Sequence, residues 1–259
     1  MVIWTDCLGE EILQDFLYTT LIGASAGIIG TGVGGATAFI LDKPGKRFLS
    51  ILLSFSSGLM LAVVCFDLLP EAFEIGSLFY GIFGVALGIA AIMVCEGLII
   101  RYRRKTGTRF SSNRFIQTGI LMAIGIALHN FPEGLAIGSG FTARISYGWE
   151  LAIIIALHDI PEGVAMVTPM VIGGAGPFKA FMAAVIAGIP TGLGAMAGYL
   201  LGGISPLIIS VCLGFAGGAM LYITVNDLIP ESRELYKGRM STLGLIGGVI
   251  AGIIIISVL

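Results

Sequence analysis

Along this chain, long apolar runs recur at roughly 16–40, 49–70, 78–100, 115–140, 148–171, 178–202, 207–230 and 241–259. About 20 apolar residues are what an α-helix needs to cross the hydrocarbon core of a bilayer. The expected fold class is therefore an all-α membrane protein with eight transmembrane helices. Composition agrees, with 56% of the 259 residues hydrophobic and 12% charged. A soluble domain carries about 25% charged residues. Connections between the runs are short, so no soluble domain is available for separate chemistry, and residues 1–259 read as a single transmembrane domain. A net charge of −2 and the lack of a basic surface set nucleic acid aside as a partner.

The basic residues set an orientation. Lys43, Lys46, Arg47, Arg101, Arg103, Arg104, Lys105, Arg109, Arg114, Lys179, Arg233, Lys237 and Arg239 fall in the connections after spans 1, 3, 5 and 7, and Arg144 stands alone on the other side. Cytoplasmic loops carry the Lys/Arg excess. The odd-to-even loops are thus expected in the cytoplasm and both termini outside the cell membrane, the inner membrane in a Gram-negative cell. The N-terminal segment, with Asp6, Glu10, Glu11 and Asp15, lacks a basic signal-peptide start, so the first run is expected to remain as a span. Cys7, Cys65, Cys95 and Cys212 form no CxxC pair and read as packing residues, with no disulfide framework.

The chain repeats itself. At an ungapped offset of 160 residues, Thr31-Gly-Val-Gly34 matches Thr191-Gly-Leu-Gly194, and Asp67-Leu-Leu-Pro-Glu71 matches Asp227-Leu-Ile-Pro-Glu231. Gly84 and Gly88 likewise match Gly244 and Gly248. At an offset of 29, ALHNFPEG (127–134) matches ALHDIPEG (156–163), and the chain's 2 histidines sit one in each octet. Spans 1–3 then correspond to spans 6–8, and span 4 to span 5, every pair running in opposite directions. This is a 3+2+3 inverted repeat, an architecture that places a substrate site near the midplane in many secondary transporters.

The octets carry the chemistry. On a helix, residues i and i+4 share a face, so His129 stacks with Glu133 on span 4 and His158 with Glu162 on span 5. Asn130 and Asp159 project about 100° further round, one residue along a 3.6-residue turn. If the two faces meet, two imidazoles, three carboxylates and one amide gather at mid-depth. Pro132 and Pro161 remove backbone donors, so kinks are expected there, with the Leu128 and Leu157 carbonyls freed. Each central acid costs about 2.5–3.5 kcal/mol on insertion scales, and no Lys or Arg lies at that depth. A divalent cation supplies the missing charge. Imidazole and carboxylate suit Zn²⁺, and also Fe²⁺, Mn²⁺ or Co²⁺.

At these residues the chain resembles the ZIP (Zrt/Irt-like) family of divalent metal transporters, and within it the short prokaryotic, GufA-like members. The resemblance covers essentially the whole chain and rests on the paired HNxPEG/HxxPEG motifs. It implies transport of zinc, and also of iron, manganese or cadmium, toward the cytoplasm. It also implies metal ligands at His129, Asn130, Glu133, His158, Asp159 and Glu162, a homodimer in the lipid bilayer, and movement of spans 1, 4, 5 and 6 against spans 2, 3, 7 and 8. Metal is then cargo rather than cofactor, and the protein is not an enzyme. In one respect the chain departs from the pattern: Thr191 stands where several prokaryotic members carry a Glu on span 6, which puts a second ion's site in doubt.

Outside the octets, Asp67 near the outer end of span 2 and its mate Asp227 near the inner end of span 7 are candidates for the two ends of a cation path. Met60, one face with Asp67 and nearer the midplane, is a candidate thioether contact. Glu96 is expected to pair with an arginine. Two rival functions stay open on sequence grounds: an intramembrane zinc metallohydrolase, although HExxH is absent, and a metal-gated channel.

Overall fold

A computed structural model describes residues 2–40, 45–106 and 114–258. Lys43 and Arg109, two of the residues that set the expected orientation, lie outside the described residues. Among those described, 8 helices are long and apolar enough to cross a membrane. Span 1 is Leu13–Phe39, span 2 Lys46–Ile75, span 3 Leu78–Leu98 and span 4 Phe115–Ala143. Span 5 is Ile145–Ile172, span 6 Pro177–Gly202, span 7 Pro206–Leu235 and span 8 Arg239–Val258. All eight expected runs are present, and several helices continue beyond them. Span 2 begins at Lys46 rather than 49 and ends at Ile75 rather than 70. Hydropathy marks where side chains leave the hydrocarbon, whereas a helix continues as long as its backbone bonds are intact, so polar end turns are missed.

Prolines meet two different local structures in this bundle. The helices Arg114–Ala143 and Ile145–Ile172 run unbroken through Pro132 and Pro161. Spans 2 and 7 each contain one five-residue π turn, Val64–Leu68 and Thr224–Leu228, set 160 positions apart. In them the Leu69 amide reaches the Val64 carbonyl and the Ile229 amide reaches the Thr224 carbonyl. Each turn lies just before a proline, Pro70 or Pro230. Widening the ladder by one residue there accommodates a residue that cannot donate. Such turns are frequent at functional sites, and these two carry Asp67 and Asp227.

Packing divides the bundle into two groups. Span 6 packs on spans 4 and 1, and span 5 on spans 4 and 1. Separately, span 8 packs on span 2 and span 3 on span 7. The groups meet where span 4 touches span 7 and span 5 touches span 2. Span 5 is 78% buried while spans 3 and 8 are 22% buried, which puts the octets at the centre and the third and last spans at the rim.

The inverted repeat is visible in individual contacts. The Ser50 hydroxyl donates to the Ser232 carbonyl at 2.6 Å, and Ser210, its mate, donates to the Ala72 carbonyl at 2.6 Å. Gly134 lies so close to span 6 that a Cβ would overlap the Thr191 carbonyl. Its mate Gly163 lies equally close to span 1, where a Cβ would overlap the Thr31 carbonyl. Both partners in each contact are related by the sequence offsets, so similar residues perform the same packing on the two sides of the pseudo-axis.

Candidate metal centre

The two octet faces meet. His158 Nε2 lies 2.6 Å from Glu133 Oε1, joining span 5 to span 4. His129 Nε2 lies 3.4 Å from Glu133 Oε1 on its own helix and 3.2 Å from Glu162 Oε2 on span 5. Asp159 Oδ1 lies 3.7 Å from His158 Nε2. Glu133, His158 and Asp159 each offer a ligand atom within 4.8 Å of the others. The i, i+4 spacing that aligns each His with its Glu is thus joined by helix contact into one continuous cluster.

All of these side chains are at most 1% exposed. Several of their polar atoms find no hydrogen-bond partner among the described residues: His129 Nε2, Glu133 Oε2, both Asp159 oxygens and Glu162 Oε2. Buried polar atoms are seldom left so. Among the described residues, only histidines stand within ion-pair distance of these three acids. Carboxylate oxygens and imidazole nitrogens aimed at shared space are a donor set for a divalent cation.

Asn130 faces another way. Its side-chain amide donates to the Ala187 carbonyl on span 6 at 2.7 Å, and its Oδ1 has no partner among the described residues. The matching surface on the other side belongs to Asp159, whose Cβ abuts Gly30 on span 1. Thr191 is fully buried, its hydroxyl unpartnered among the described residues, with its carbonyl against Gly134.

A cavity of about 620 Å³ reaches the cluster from the end of the bundle where span 7 finishes. His129 and Glu162 line its floor, and Glu96, Asp227, Glu231 and Glu234 line the way out. Asp227 is therefore on an open path to the cluster. Asp67 lies at the opposite end, half-buried, and does not line this cavity. There Arg144, before span 5, pairs with Glu71 of span 2 at 3.2 Å. Another cavity at that end, about 590 Å³ and holding Asp15, Tyr18 and Tyr199, touches none of the octet residues.

Met60 is fully buried in the apolar core, its sulfur 2.7 Å from the Thr224 hydroxyl. It does not line the cavity. Glu96, expected to pair with an arginine, has no such partner among the described residues and instead accepts the Tyr222 hydroxyl at 3.1 Å. It lines the cavity, nearly three turns before the helix ends at Thr106. Sequence reasoning missed Ser56, whose hydroxyl lies 3.3 Å from Glu162 Oε1. It also missed Glu231, although the repeated DL[LI]PE strings contain it.

A sequence model of the family described as ZIP Zinc transporter matches residues 103–259. Among curated proteins, the chain is 33% identical over 152 residues to "Zinc transporter ZupT" of Akkermansia muciniphila, covering 51% of this chain and 54% of that one. It is 31% identical over 157 residues to the protein of the same name from Clostridium perfringens, covering 49% and 53%. For the Chlorobium luteolum protein of that name the figures are 29% identity over 259 residues, covering 91% and 96%. The matches to the first two relatives thus span about half their length, and the third match is nearly end to end.

Proposed function

The chain belongs to the ZIP zinc transporter family, and from that membership and the buried cluster we propose that it carries divalent metal cations, zinc foremost, across the membrane. The observation that carries the reading is the cluster itself: two imidazoles and three carboxylates at the centre of the bundle, with no Lys or Arg within ion-pair distance among the described residues. His129, Glu133, His158, Asp159 and Glu162 are the proposed ligands, and Asn130, tied to span 6, orients span 4 beside them. This family is one of transporters, which sets the metallohydrolase reading aside.

The mechanism follows from one-sided access. By the Lys/Arg distribution, the end reached by the cavity is cytoplasmic, so this arrangement is the one that releases metal inward. On the opposite side the Arg144–Glu71 pair bridges spans 5 and 2. Admitting metal from outside requires that end to part and the cavity to close, an alternation across the seam between the two helix groups. Asp67 and Asp227, placed in matching π turns, stand at the two ends of the path. Proton exchange accompanies binding, because ligands must be deprotonated to hold the metal. Iron, manganese or cadmium are alternative cargoes for this donor set, and a homodimer in the bilayer is the proposed assembly. With Thr191 offering only a hydroxyl, the cluster is read as a site for one ion.

The test is zinc uptake into proteoliposomes. Uptake by the wild type should saturate with zinc, and Glu133→Ala and His158→Ala, purified as folded protein, should abolish it. Wild-type rates in both variants would remove the site from the mechanism, and unsaturable flux would favour a metal-gated channel over a carrier.

A further inference from the structure

One polar side chain reaches the cluster from across the seam. Ser56 stands on span 2, in the helix group that contributes none of the five proposed ligands. It is fully buried. Its hydroxyl faces two acceptors on span 5, the His158 carbonyl at 3.1 Å and Glu162 Oε1 at 3.3 Å. The neighbouring Ser57 turns back instead to the Leu53 carbonyl of its own helix at 2.8 Å.

The two glutamates are thereby held differently. Glu162 has a hydroxyl on Oε1, which leaves Oε2 directed at His129, 3.2 Å away. Glu133 takes His158 on Oε1 and has no hydroxyl donor among the described residues. The repeat predicts this difference: the position 160 residues beyond Ser56 is Ala216, which has no group to donate. An inverted repeat of identical halves would give both carboxylates the same support; here one half lacks it.

We propose that Ser56 is a positioning residue for the metal, holding Glu162 by one oxygen so that the other is presented beside His129 as a single-oxygen ligand. Outer-shell hydrogen bonds of this kind fix a ligand's orientation, and losing one costs about 10–100-fold in metal affinity. Because the hydroxyl comes from the opposite helix group, sliding of the groups changes its distance to Glu162. The cluster's grip on metal is then tied to which end of the bundle is open. This inference rests on the transport reading above.

The experiment compares Ser56→Ala with Ser57→Ala, a same-helix control whose hydroxyl does not touch the site. Zinc uptake in proteoliposomes gives KM and kcat, and equilibrium zinc binding in detergent gives Kd. Ser56→Ala is expected to raise KM and Kd about tenfold or more while kcat stays within about twofold, and Ser57→Ala to leave KM and Kd at wild-type values. A purely structural serine would lower the folded yield and kcat with KM and Kd unmoved, and that result overturns the proposal. So does an equal KM shift in both variants. If wild-type protein takes up no zinc, the transport reading falls and this inference with it; if it does and Ser56→Ala matches its KM, the positioning role alone falls.

Discussion

A methyl group added at Gly134 probes the contact on which the central cluster depends. A Cβ there would lie 2.7 Å from the Thr191 carbonyl carbon and 2.8 Å from the Ala195 nitrogen, and would overlap the Thr191 oxygen outright. Comfortable carbon contacts are about 3.5–4.0 Å, so spans 4 and 6 must separate by roughly 1 Å. All three obstructing atoms are backbone, which no rotamer change can move. Overpacking costs about 1–3 kcal/mol, and backbone obstruction places Gly134→Ala at the upper end. The gain in helix propensity, about 1 kcal/mol for Gly to Ala, offsets only part of it. Gly125, on the same helix, has nothing within 4 Å of an added Cβ, so Gly125→Ala keeps the gain without the clash. Thermal unfolding in detergent is the assay. A net loss of about 2 kcal/mol corresponds to a fall of roughly 4–8 °C in the melting midpoint for Gly134→Ala, with Gly125→Ala at or above wild type. A Gly134→Ala protein as stable as wild type would refute the close approach, and with it the placement of span 4 against span 6.

Further outcomes follow from other contacts. Ser50→Ala and Ser210→Ala each remove one buried hydroxyl–carbonyl bond of matching geometry, so each should cost about 1 kcal/mol with similar shifts in melting midpoint; a large effect from one and none from the other would contradict the structural repeat. Protons compete with metal for imidazole and carboxylate, so KM for zinc should rise severalfold as pH falls from about 7.5 to 5.5; a flat KM would argue against these ligands. Asp227→Asn removes a charge from the cavity mouth and should slow net metal flux more at low than at high ionic strength, since salt screens exposed charges beyond about 10 Å at 0.1 M; equal slowing at both would point to a contact role instead.

Much of the site was readable from the octets because the relevant geometry is local. His and Glu four residues apart share a helix face whatever surrounds them, and two copies near mid-depth on antiparallel helices can meet in only a few ways. The helix bounds were less legible, since polar end turns carry no hydropathy signal. Prolines are met in two ways. Pro132 and Pro161 sit in uninterrupted helix, while the π turns precede Pro70 and Pro230. A missing donor can be tolerated or bypassed, and the chain uses both responses.

By itself, the sequence determined the eight apolar spans, the inverted repeat and the pairing of the two octets, all of which are properties of composition, spacing and internal identity. Only the tertiary structure decided which atoms complete the cluster. Ser56 meets Glu162 across 106 positions of sequence, Asn130 turns to Ala187 across 57, and Met60 packs beneath Thr224 across 164. It also decided that Asp227 lines the cavity that reaches the cluster and Asp67 does not line it. The physical reason is that a hydrogen bond or a cavity wall depends on which helix stands opposite at a given depth. That choice is made by packing over the whole bundle, where closely matched repeat halves can still settle into unequal surroundings.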